Sequence, residues 1–177
     1  MEAIGRSSSR RVVIGVVSDT HGHLYPEVKE ALQGVDHIIH AGDVGSPQVL
    51  EGLRAIAPVT AVRGNCDLDQ WAQTLPVRAE VDFGEVRALV GHIAARLRDA
   101  EGSGEFSIVV TGHSHMASIE REDGVLRMNP GSAGPRRFER PRTVGLVIIE
   151  WAAPKGADVL AGEGRSISAE IVAVTGG

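Results

Sequence analysis

Cysteine occurs once in this chain, at Cys66, so no intrachain disulfide can form. That usage fits a reducing cytoplasm. Aromatic residues make up only 3% of the sequence, too few to build stacking platforms for bases or sugars. Cations do not predominate: 18 basic against 23 acidic residues give a formal net charge of −5, which leaves no global basic footprint for nucleic acid. No apolar run approaches the roughly 20 residues of a membrane-spanning helix, and no membrane partner is expected. The opening MEAIGRSSSRR has no hydrophobic signal-peptide core. Residues 1–10 therefore read as a disordered lead, and residues 11–177 as a single domain without repeats, low-complexity tracts or linkers.

A hydrophobic content of 42% over 177 residues is enough for one substantial core. The first half alternates β-rich runs with helical patterns. RVVIGVV (11–17) precedes PEVKEALQGV, where Pro26 suits a first helical turn. HIIHAGD precedes SPQVLEGLRAI, where Ser46 is placed to cap the helix and Pro47 to open it. PVTAVRGNCD supplies a third strand. This β-α-β-α-β order predicts parallel strands with helices packed on the sheet. From about Leu75 the pattern changes to hairpins, one turning at Gly84 and one at Asp123-Gly124. A helical segment, AARLRDAEG, comes before FSIVVTGHSH, and TVGLVIIEW with SISAEIVAV reads as a closing strand pair. The expected architecture is one α/β domain with two stacked sheets.

The strands end in chemistry. Asp19 and His21 close the first, Asp43 the second, Asn65 and Asp67 the third, His92 a later one, and His113 with His115 another. These motifs recur every 21 to 27 residues, about one strand and its connection, so each returns to the same sheet edge. That is the carboxyl edge, where open α/β sheets place ligands. The i, i+2 spacing of Asp19/His21 and of His113/His115 puts each pair on one side of an extended chain. Oxygen and imidazole donors without thiolate suit Mn, Fe, Zn or Ni better than Ca or Mg.

The ordered set D-x-H (19–21), G-D (42–43), G-N-x-D (64–67), G-H (91–92) and G-H-x-H (112–115) resembles the calcineurin-like metallophosphoesterase superfamily. SDTHG, HAGDVG, RGNCD and NPGS (129–132) are similar to its small prokaryotic YfcE-type phosphodiesterase branch. Any one motif is weak, but five in order, each after a predicted strand, are specific. The resemblance implies a four-layer α/β/β/α sandwich of two mixed sheets. It also implies two divalent transition-metal ions, Mn first, with Ni, Fe or Zn as alternatives. One ion would take Asp19, His21, Asp43 and His115. The other would take Asp43, Asn65, His92 and His113, with Asp43 bridging and with Asp43, Asn65 and His92 as the catalytic set. Two such ions against two carboxylates leave a site of about +2, matched to phosphate, and an ion pair of this kind activates a hydroxide for in-line hydrolysis. A small phosphodiester or phosphate ester is the expected substrate. Self-association is an open expectation.

The remaining polar residues have plainer readings. A lone histidine at a strand end is ordinarily a surface residue, and only the ordered set overturns that for His92. His23, His37 and His40 match no ligand position; His37 reads as surface and His40 as a strand residue or a support for the site. Asp67 is read as orienting the site or capping its turn, and Ser132 as a neighbour of the centre. Gly42, Gly64 and Gly112 read as glycines of tight turns. Cys66 reads as a small turn residue, its S–H being a weak donor; activated aryl diesters should then be preferred over alkyl monoesters. Arg136, Arg137, Arg140 and Arg142 follow NPGS in a loop that could bind phosphate or a partner. The second hypothesis is a non-catalytic scaffold of the same fold, like the retromer subunit that has lost metal ligands; here every ligand position is filled. The isolated histidine at 92 is followed by Ile93 and Ala94 rather than the Gly-His often found in small members of the family.

Overall fold

The computed structural model describes residues 10–101, 105–136, 140–151 and 164–175. Arg137 and residues 1–9 of the expected lead lie outside them. Arg10, read as part of that lead, instead opens the first strand opposite Trp151, where its guanidinium lies 4.7 Å from the Trp151 ring centroid. That contact gives an arginine at a strand end a reason to be ordered.

The strand-helix alternation of the first half is realised as β1 (Arg10–Val17), α1 (Pro26–Ala31), β2 (His37–His40), α2 (Pro47–Arg54) and β3 (Val59–Ala61). The hairpins follow as β4 (Arg78–Phe83) with β5 (Val86–Gly91) and, after α3 (Arg98–Glu101) and β6 (Ile108–Val110), β7 (Ser118–Glu122) with β8 (Val125–Asn129). The chain closes with β9 (Arg142–Trp151) and β10 (Arg165–Val174). One sheet has the order β10-β9-β1-β2-β3, the other β4-β5-β6-β8-β7. Both are mixed: β1, β2 and β3 run parallel while β9 and β10 run antiparallel to their neighbours. In the second sheet β5, β6 and β8 are parallel, with an antiparallel hairpin on each flank.

Alternation along the strands sorts side chains between two faces. Ile14, Val16 and Ile39 of the first sheet meet Val86, Ala88, Val90, Ile108 and Leu126 of the second in the central core. The opposite face of the first sheet, including Val17 and Ile38, is covered by Val28 and Leu32 from the α1 region and by Val49, Leu50 and Leu53 of α2. The outer layer of the second sheet is thin: Leu97, beside α3, covers Leu89, Phe106 and Val109. The segment AARLRDAEG forms a 3-10 turn at Ala94–Arg96 and the short α3 rather than one continuous helix. Pro47 does open α2, but Ser46, although extended at the N-cap, makes no capping bond with its side chain. No helix among the described residues is long and apolar enough to cross a membrane.

Candidate metal centre

The carboxyl ends of β1 and β2 in one sheet face those of β5 and β6 in the other, and the polar motifs meet there. Asp19, Asp43 and His92 are 0%, 3% and 4% exposed. Buried carboxylates are costly unless paired or bound to a cation. One oxygen of each carboxylate is held by the surrounding chain. Asp19 Oδ2 accepts from Ser18 Oγ at 2.6 Å and from the His113 N–H at 3.1 Å; Asp43 Oδ1 accepts from the Cys66 N–H at 2.8 Å. The other oxygens point inward. Asp19 Oδ1 lies 3.1 Å from His115 Nε2, 3.9 Å from His21 Nε2 and 3.9 Å from His92 Nε2. Asp43 Oδ2 lies 3.3 Å from His92 Nε2.

His92 shows the logic most clearly. Its Nδ1–H donates to the Ala41 carbonyl at 2.7 Å, which fixes the ring and turns Nε2 toward the two carboxylates. Nε2 and Asp19 Oδ1 are buried without a hydrogen-bond partner. Two donors about 2.1 Å from one transition-metal ion at a tetrahedral angle stand about 3.4 Å apart. The observed separations bracket that value, including 3.4 Å between His21 Nε2 and His115 Nε2. The donor atoms fall into three overlapping groups, Asp19–His21–His115, Asp19–Asp43–His92 and His21–Asp43–Cys66, each within 4.8 Å. These residues fit a metal site.

His113 and Asn65 stand differently. The His113 ring meets that of His92 edge to face, with centroids 5.2 Å apart. Asn65 sits with His92 on the rim of a small cleft and donates from Nδ2 to Cys66 Sγ at 3.3 Å. His113 belongs to none of the three tight groups, whereas Cys66 Sγ belongs to one.

The charges respond to this crowding. Burial opposes a charge on His92, but Asp43, the Ala41 carbonyl and Asp19 outweigh it and hold its pKa above the ordinary histidine value. Burial likewise opposes the Asp43 charge, yet His92 and the Cys66 N–H keep that carboxyl well below the usual carboxylate range.

The supporting residues are backbone clamps. Asp67, buried, accepts from the N–H groups of Val44, Gly45 and Gly64 at 3.1, 2.9 and 2.8 Å, tying the loop after β2 to the loop after β3. Its bond to the Gly64 N–H closes the turn to which it belongs. Ser132 Oγ donates to the Asp19 carbonyl at 3.1 Å. His40 is fully buried: the Gly42 N–H donates to its Nδ1 at 3.2 Å, and its Nε2 meets Thr20 Oγ1 at 2.8 Å. Thr20 in turn donates to the Val44 carbonyl at 2.9 Å. Burial pushes the His40 pKa down to about 4. His37 is half-buried rather than on the surface, with Nε2 at 2.9 Å from Thr60 Oγ1 and its ring edge-on to Phe83; burial lowers its pKa too. His23 bonds the His21 carbonyl through Nδ1 at 3.0 Å and stays outside the centre.

Two expectations change. The i, i+2 argument assumed extended chain, but Asp19, His21, Asp43, His113 and His115 all have positive φ, between 47° and 69°. His115 consequently faces His21 and Asp19 while His113 faces His92. The glycines also divide. Gly42 has the positive φ of a turn glycine, but Gly64 and Gly112 serve close approach. A Cβ at Gly64 would collide with the Asp43 carboxylate, and one at Gly112 with Ser18 Oγ and Asp19 Oδ2. Ser18, Ala41 and Asn129 lie within SDTHG, HAGDVG and NPGS, but no role for them was read from the sequence; Asn129 Nδ2 donates to the Gly112 carbonyl at 2.7 Å.

Residues 12–151 match the calcineurin-like phosphoesterase superfamily domain. A probable metallophosphoesterase of Methanothermobacter thermautotrophicus is 31% identical over 148 residues, covering 77% of this chain and 86% of that relative. A phosphodiesterase of Methanocaldococcus jannaschii is 31% identical over 137 residues, 67% of this chain and 82% of the relative. Among solved structures, vacuolar protein sorting 29 from Cryptosporidium parvum shares the fold, with a TM-score of 0.67 at 18% identity over 92% of this chain and 98% of that one.

Proposed function

The chain belongs to the calcineurin-like phosphoesterase superfamily, and we propose that within it this protein is a metal-dependent phosphodiesterase. The observation that carries the reading is the convergence of buried, orphaned donor atoms, Asp19 Oδ1 and His92 Nε2, with the His21, His115 and Asp43 donors around them. The name of the Methanocaldococcus relative supports the choice of diester.

In this reading Asp19, His21, Asp43 and His115 hold one divalent ion, and Asp43, Asn65, His92 and His113 a second, manganese being the first choice. Bound ions supply Lewis-acid activation of water and of the phosphoryl oxygens. The chain's own part is positional. Ser18 and the His113 N–H orient Asp19, the Cys66 N–H orients Asp43, and the Ala41 carbonyl sets the His92 tautomer so that Nε2 faces inward. Asp67 keeps the two loops that carry Asp43 and Asn65 in fixed relation.

The test is elemental analysis of protein stripped by chelator and reloaded with Mn, Zn, Fe or Ni, alongside hydrolysis of bis(4-nitrophenyl) phosphate. About two equivalents of metal and metal-dependent turnover are expected. Failure to bind any of these metals would overturn the reading. Binding without turnover on a panel of diesters and monoesters would favour the scaffold instead.

A further inference from the structure

A cleft of about 230 Å³ opens beside the His113 and His115 edge of the centre, with Arg136 and Arg140 on its wall. A neighbouring cleft of about 270 Å³ shares His115 and Arg140 and adds exposed Met116. The arginines of this loop are not equivalent. Arg142 is fully engaged: Nη1 donates to Glu27 Oε1 at 2.8 Å, Nε donates to the Gly134 carbonyl at 3.0 Å, and the guanidinium lies 3.5 Å from the Tyr25 ring centroid. Arg136 and Arg140 are exposed, and among the described residues no acid pairs with either. Ser114, on the same wall, accepts at Oγ from the Met116 N–H at 3.2 Å and from Asn129 Nδ2 at 3.0 Å, which leaves its hydroxyl hydrogen to donate.

Two exposed guanidinium groups line one cleft with no acid paired to either among the described residues, a setting that favours an anion. The guanidinium fork matches phosphate oxygens in two-point contact. The pair is not a piece of a general basic surface, since the chain as a whole carries −5. Among the described residues the cleft offers guanidinium and hydroxyl groups for recognition. We propose that this cleft binds a second phosphate of the substrate, making the preferred substrates phosphodiesters that carry a further phosphate group beside the scissile one. This assignment rests on the phosphodiesterase reading and narrows it.

Two experiments on the full chain test it. The first compares Mn-loaded wild type and R136Q/R140Q on the 4-nitrophenyl ester of thymidine 5′-phosphate, with and without a 3′-phosphate. The wild type should show a KM about tenfold lower for the 3′-phosphorylated ester. The double variant should raise that KM at least tenfold more than it raises the KM of the plain ester. Equal effects on both esters, or no effect on either, overturn the proposal. The second needs no turnover: calorimetry of inorganic pyrophosphate binding to chelator-stripped protein. Binding that weakens at least tenfold in R136Q/R140Q supports the cleft even if no ester is hydrolysed, in which case only the enzymatic reading fails. Equal binding by both proteins, or none by the wild type, overturns the cleft assignment while leaving the enzymatic reading to the ester assays.

Discussion

Asp43 faces both halves of the centre, with Oδ1 tied to the Cys66 N–H and Oδ2 toward His92. Asp43→Asn should therefore lower metal content at both positions, whereas His92→Ala should mainly lower it at one; the measurement is metal stoichiometry after reloading. The loss of turnover in Asp43→Asn should exceed the roughly 10–100-fold that follows when a group hydrogen-bonded to a metal ligand is removed. Gly112→Ala tests the seat of Asp19, because the added methyl meets Ser18 Oγ and Asp19 Oδ2. Overpacking of this kind costs about 1–3 kcal/mol, so a lower urea midpoint and weaker metal retention are expected together. Cys66 contributes its backbone N–H to Asp43, a bond that Cys66→Ala leaves in place. That variant should keep most of its metal and lose less than about tenfold in rate on an activated aryl diester. A fall beyond about 100-fold with metal intact would mean that the thiol takes part in proton transfer, whose removal costs on that order.

The loops after β2 and β3 are joined less by packing than by one carboxylate. Asp67 satisfies three backbone N–H groups at once, and Asp67→Ala would strand that of buried Val44 outright and those of Gly45 and Gly64 in partly buried places. At about 1–3 kcal/mol for each unsatisfied buried group, softened by water entry, a destabilisation of about 3 kcal/mol is expected in a urea titration. The elements themselves were legible where local chemistry is decisive. The turns at Gly84 and Asp123-Gly124 could be read because such residues accept positive φ, and each of the three has it. The strands could be read because β-branched runs fit a half-buried pleat. Helix lengths were read too long: PEVKEALQGV yields only Pro26–Ala31 as regular helix, and AARLRDAEG breaks into two short pieces. Their order is set by what they cover on a sheet, which periodicity does not report. The motif residues of the centre could be found by type and order. Their left-handed backbone could not, because spacing arguments presuppose an extended chain. Nor could the role of the Ala41 carbonyl, which depends on the two sheets meeting.

Stability of the whole molecule should carry the signature of His40. The Gly42 N–H occupies Nδ1 as an acceptor, so the ring sits neutral with Nε2–H donating to Thr20, and a second proton would oppose the Gly42 amide. With a folded pKa of about 4, against about 6.5 in the unfolded chain, the unfolded state takes up the proton first. The stabilisation is complete above about pH 6.5, falls as pH drops toward 4 and is constant below. The total is about 3 kcal/mol at 1.36 kcal/mol per pKa unit. Denaturant titrations of metal-free wild type and His40→Gln should show the wild type's advantage shrinking through that window; an advantage independent of pH would refute the neutral ring. The backbone at Asp19, His21, Asp43, His113 and His115 has a different consequence, one for the descent of such proteins. Left-handed φ is tolerated by Asn, Asp, His and Gly and resisted by β-branched side chains. A lineage that gave up its metal while keeping this fold would therefore drift at these five positions chiefly toward asparagine and glycine. Loss of function would leave a legible scar: a chain of this architecture whose strand ends keep the conformation of ligands long after the ligands have gone.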